Sequence, residues 1–60
     1  MLKTYTFRKV YTIEAGKWAD AAYLLGGSAK IGRCDQYGYC KLTIITEHPI
    51  KEVKDLMLTL

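Results

Sequence analysis

The chain has 60 residues and carries nine Lys or Arg against six Asp or Glu, a formal net charge of +3. Half of its residues are hydrophobic, a quarter are charged and one is proline, which excludes a disordered or low-complexity segment. The length admits one domain, and a single histidine with no room for a second lobe excludes most enzyme architectures.

Residues 2–14 are rich in Thr, Tyr, Val and Ile and contain neither Gly nor Pro, so they read as one long strand. Its odd positions, Lys3, Tyr5, Phe7, Lys9, Tyr11 and Ile13, form the more apolar face and are expected to meet the core. Such a strand exceeds the usual length, and a bend or bulge is expected near Arg8-Lys9. Residues 16–25 read as a helix, because Trp18, Ala22 and Leu25 recur at helical spacing with Ala21 beside them. Gly16 is its N-cap candidate, and Gly26-Gly27 supply a left-handed stop.

Residues 29–47 read as a β-hairpin turning at Asp35-Gln36-Tyr37-Gly38, where Gly38 can take positive φ. Two registers compete. One sets Cys34 opposite Cys40; the other pairs Ile31 with Leu42 and Ala29 with Ile44. The second gives the cleaner apolar face and is preferred, which sends the two cysteines to opposite sides of the sheet. Residues 49–60 read as a closing helix with Pro49 at its first position and Ile50, Val53, Met57 and Leu60 on one face, Leu56 adjoining. The order is β-α-β-β-α. The expected fold class is α+β, a small single domain over residues 1–60, with an antiparallel sheet and both helices on one face.

A domain of this size buries only about 60% of the surface its unfolded chain exposes. A partner subunit is the natural supplement, so a homodimer is expected. The start of the chain has no apolar core of a signal peptide, and no apolar stretch approaches about 18 residues. No membrane contact is expected, and the location is read as cytoplasmic. A reducing compartment then predicts free, dispensable cysteines.

Four constellations bear on chemistry. Gly27-Ser28-Ala29-Lys30-Ile31-Gly32-Arg33-Cys34 has the glycine spacing of a phosphate loop, but Arg33 and Cys34 replace its Lys and its Ser or Thr. It also follows a helix and enters a strand, so it reads as a helix stop. Cys34, Cys40 and His48 are one ligand short of a structural zinc site and lack its knuckle spacing; no metal or cofactor is expected. His48 has no second base, serine elbow or paired carboxylate at a meaningful spacing, so no enzyme activity and no catalytic residue are expected.

The fourth constellation is basic and aromatic. Lys3, Tyr5, Phe7, Lys9 and Tyr11 alternate along strand 1, where the aromatics are assigned to the core. Tyr37 and Tyr39 flank the hairpin turn, with Arg33 and Lys41 on the adjoining strand segments. Exposed Tyr beside Arg is typical of interface hot spots, and aromatics flanked by cations also stack on bases and neutralise phosphates. The candidate binding residues are Tyr37, Tyr39, Arg33 and Lys41 at the hairpin, with Arg8 on the outer side of strand 1.

Charge is uneven: residues 1–41 hold seven basic and three acidic side chains, a net +4, and residues 42–60 hold two and three, a net −1. The function expected first is a small non-enzymatic protein that binds and modulates or inhibits another protein, of the kind phages and mobile elements carry as accessory proteins. The alternative is a small basic nucleic-acid-binding module.

Overall fold

A computed structural model describes all 60 residues. The elements run β1 (Lys3–Tyr11), α1 (Thr12–Leu24), β2 (Ser28–Cys34), β3 (Tyr39–Thr46) and α2 (Ile50–Leu58). The three strands form one antiparallel sheet in the order β1-β3-β2. The α+β class and the β-α-β-β-α order follow the sequence pattern. No helix is long and apolar enough to cross a membrane.

The core lies on one face of this sheet. Leu42 and Ile44 from β3 and Val10 from β1 meet Ala15, Trp18, Ala21 and Ala22 from α1 and Val53 and Met57 from α2. Trp18 stacks at a tilt on Phe7, ring centroids 5.2 Å apart. The three alanines of α1 in this core are fully buried, which lets the helix backbone lie close to the strands.

The first helix starts four residues earlier than the pattern suggests, at Thr12 rather than Gly16. Thr12 and Ile13 are β-branched and read locally as strand. Tertiary bonds override that preference: the Thr12 amide and hydroxyl both donate to the Gly38 carbonyl, at 2.8 and 2.7 Å. The early start also puts Ala15 on the buried stripe and leaves Ile13 on the surface. Tyr11 becomes the N-cap, with no side-chain capping bond. The helix ends as expected at the two glycines. Gly26 has φ +79°, its amide donates to Tyr23, and the Gly27 amide donates to Ala22. Gly27 is also sterically required, since a Cβ there would lie 2.5 Å from the Ile45 carbonyl oxygen. Pro49 stands one residue outside α2, as its N-cap.

The expected bulge in β1 is present. Lys3 to Phe7 pair with Thr46 to Leu42 in one register, Val10 and Tyr11 pair with Cys40 and Tyr39 in another, and Arg8-Lys9 together oppose Lys41. The extra residue reverses the side-chain alternation. Tyr5 and Phe7 face the core, and beyond the bulge Val10 does so, not Lys9 and Tyr11.

The hairpin resolves its two registers by using both. Ser28 to Ile31 pair with Ile45 to Leu42, as preferred; then Gly32-Arg33 bulge against Lys41, and Cys34 pairs with Cys40. The expectation of free thiols on opposite sides of the sheet is therefore overturned. Cys34 and Cys40 form a disulfide, and no cysteine is free. The preferred register, carried straight through, would have kept them apart; the bulge shifts one strand by one residue and brings them level.

This architecture has two consequences for stability. Gly16 sits inside α1 with negative φ, and a Cβ added there would meet nothing within 4 Å. Gly16→Ala is expected to stabilise the protein by about 1 kcal/mol, read as a rise in the urea midpoint. The disulfide closes a loop with a sequence separation of 6. Its reduction, or Cys34→Ser with Cys40→Ser, is expected to cost about 2 kcal/mol in the same assay; an unchanged midpoint would return the cysteines to the dispensable role.

Candidate binding face

The alternation that buries Val10, Cys40, Leu42 and Ile44 sends their neighbours to the opposite side of the sheet, which no helix covers. Its residues lie in rows across the strands. Thr4, Ile45 and Ser28 form one row, and Thr6, Thr43 and Lys30 the next. Arg8 and Lys9, then Lys41, then Gly32 and Arg33 form the third, and Tyr11 and Tyr39 form the last.

The third row is unusual because both neighbours of β3 bulge at the same residue. Lys41 on the central strand faces two residues on each side instead of one. Each bulge adds a residue to the outer face, and four cations thereby share one level of the sheet. Gly32 adds no side chain to this level; a Cβ there would make ordinary contact with Lys41 at 3.5 Å. The result is a shallow, open depression of about 320 Å³ lined by Arg8, Arg33, Cys34, Asp35, Tyr39 and Lys41.

None of these cations forms an ion pair. The two ion pairs of the chain join the amino terminus to Glu47 at 3.9 Å and His48 to Glu52 at 2.7 Å, both away from this face. Glu14 and Asp20 lie on α1, and Glu52 and Asp55 on α2. One carboxylate, Asp35, shares the depression with the cations; it forms no ion pair with them and bonds the backbone of its own turn. Its Oδ1 accepts the amides of Tyr37 at 2.8 Å and Tyr39 at 3.0 Å, which fixes the turn in which Gly38 takes φ +88°.

The tyrosine row borders the cations. Tyr11 meets Tyr39 edge-on, centroids 5.4 Å apart at 71°. The Lys9 ammonium lies over the Tyr39 ring, 4.6 Å from its centroid. Lys9 is exposed, and such a contact contributes only about 0.5–1 kcal/mol. A base stacked on an aromatic ring contributes about 1–3 kcal/mol. The ammonium is thus a weak cover on that ring face.

Of the five residues singled out from sequence, Arg8, Arg33, Tyr39 and Lys41 come together around the depression. Tyr37 does not join them; it projects from the turn, 71% exposed. Lys9, Tyr11 and Lys30 also lie on this face and are not among those five. The first two were assigned to the core stripe of strand 1, and the bulge releases them. The only sequence signal was Val10, the one large apolar residue at an even position between Thr4 and Thr12.

His48 sits at the strand-to-helix corner with Glu52 as its side-chain partner. No group of three or more metal-ligating side chains occurs anywhere in the chain. Set against family models, curated proteins and solved structures, the chain matches none of them.

Asp35 offers a test of how the face is held. Asp35→Ala removes the acceptor of two backbone amides and is expected to cost about 1 kcal/mol of stability. Asp35→Asn retains an oxygen acceptor and is expected to recover most of that loss in thermal melting. Equal destabilisation by both variants would show that the charge, not the turn bonding, matters.

Proposed function

We infer that the protein is a non-enzymatic binding module whose open sheet face takes nucleic acid. The observation that carries this reading is the cationic row of Arg8, Lys9, Lys41 and Arg33, without a carboxylate partner and beside two tyrosines. Clustered cations release counterions from a phosphate backbone, and that release drives sequence-independent binding. Of the two functions expected from sequence, this arrangement favours the nucleic-acid module over a protein modulator or inhibitor. A protein hot spot is a desolvated aromatic or Arg anchor at the centre of a surface poor in Lys. Here charges occupy the centre and the rings lie at the border.

The disulfide contributes to the same reading. It ties the segment bearing Arg33 to the segment bearing Tyr39 and Lys41, so the face is organised before any ligand arrives. An oxidising setting keeps the pair closed, and a cytoplasmic one would leave it open for much of the time. Both edge strands, β1 and β2, offer unpaired backbone to a second copy, the arrangement that a homodimer would use.

The test is fluorescence anisotropy of a labelled mixed-sequence oligonucleotide against the oxidised protein. With three to four phosphate contacts, affinity is expected to fall roughly 20- to 50-fold between about 50 and 200 mM salt. Arg33→Gln and Lys41→Gln should each weaken binding and each lower the salt slope by about 0.7 for a single strand. Absence of binding at the lower salt would refute the assignment.

A further inference from the structure

We propose that the ligand is a single strand that crosses the sheet, its phosphates on the cationic row and its bases on the tyrosine row. This rests on the nucleic-acid reading and specifies the form of the ligand. Three features of the face converge on it.

The first is direction. The cations are aligned across the strands, from Arg8 and Lys9 on β1 through Lys41 on β3 to Arg33 on β2. With strands about 4.8 Å apart, the row spans about 10 Å. A backbone following the row runs perpendicular to the strands.

The second is what lies beside the row. Tyr39 is two residues from Lys41 along β3, about 6.8 Å away, and Tyr11 pairs with it. Chain held on the cations therefore has its bases within reach of the rings, all on one side. Toward the other side stand Thr6, Thr43 and Lys30, which offer no ring.

The third is the state of the Tyr39 ring. The Lys9 ammonium lies over one face at 4.6 Å, and the ring is only partly buried. A base that displaces the ammonium leaves it on a flexible stem next to the phosphate row. The same movement opens a stacking surface and adds a charge contact.

A duplex cannot use these features together. Its bases are stacked on one another and expose only their edges, so no π-face is available to Tyr39. The face is also unsuited to insertion into a groove: three strands backed by two helices are wider than the helix or two-stranded ribbon that a major groove admits.

The test compares three probes at equal phosphate concentration on the oxidised full chain: a twelve-residue oligothymidylate, the same strand annealed to oligoadenylate, and inorganic polyphosphate. The single strand is expected to bind at least tenfold more tightly than the other two. Tyr39→Ala should erase most of that margin while leaving polyphosphate affinity within twofold, and Tyr39→Phe should restore it. If Tyr39→Ala does not fold, Tyr39→Leu, which keeps apolar bulk without a ring, carries the same expectation. Equal binding of all three probes, or equal loss for all three in the Tyr39 variants, would overturn the crossing single strand and leave nucleic-acid binding standing. Failure of both nucleic-acid probes to bind would remove the nucleic-acid reading with it.

Discussion

The outer face depends on one packing constraint, imposed where β1 and β2 meet β3. Cys40, Leu42, Ile44 and Thr46 alternate on the central strand, and all four must face the helices. Each neighbouring strand pairs with the inward-facing residues of β3 in two sets that are out of phase. On β1 these are Tyr5 and Phe7, then Val10; on β2 they are Ala29 and Ile31, then Cys34, the last two at the exposed edge of the sheet. Two phases on one strand can meet a single phase on its neighbour only through an inserted residue. Each edge strand takes its insertion at the same level, opposite Lys41.

The consequences appear on the side away from the core. A bulged residue costs ladder bonding and increases local twist. In return, the level of Lys41 gathers Arg8, Lys9 and Arg33 around one lysine. Like charges at this spacing repel, and with Asp35 the one carboxylate in the depression the repulsion is relieved mainly by solvent and ions. Such an arrangement is poor for stability and well suited to a polyanion, which replaces those ions at several points together. Conflict between local stability and surface composition is common where a surface has a binding role.

The disulfide belongs to the same construction. The bulge at Gly32-Arg33 levels Cys34 with Cys40, and Thr12 Oγ1 lies 3.4 Å from the Cys40 sulfur at the start of α1. Cross-strand bond, turn and helix start therefore meet at one end of the sheet. A domain of 60 residues has a small core, and one covalent tie within it limits the freedom of the hairpin that carries Arg33, Tyr39 and Lys41.

The sequence by itself determined the element order, the antiparallel hairpin, the glycine stop of α1, the burial of Trp18 and the insertion near Arg8-Lys9. Each depends on near neighbours: side-chain periodicity, glycine conformation, or a strand longer than a small sheet holds flat. It also marked Arg33, Tyr39 and Lys41, because cations and aromatics near a turn have little core to enter, and Arg8 on the outer side of strand 1. Only the tertiary structure decided where α1 begins, since the bonds from Thr12 to Gly38 join residues 26 apart in sequence. The disulfide was decided in the same way, through a second bulge at Gly32-Arg33 whose register only the pairing with β3 fixes, the glycine within the strand being its one local signal. That Lys9 and Tyr11 reach the open face likewise required the strands in register, because one inserted residue inverts every later side chain and pairing alone shows where it falls.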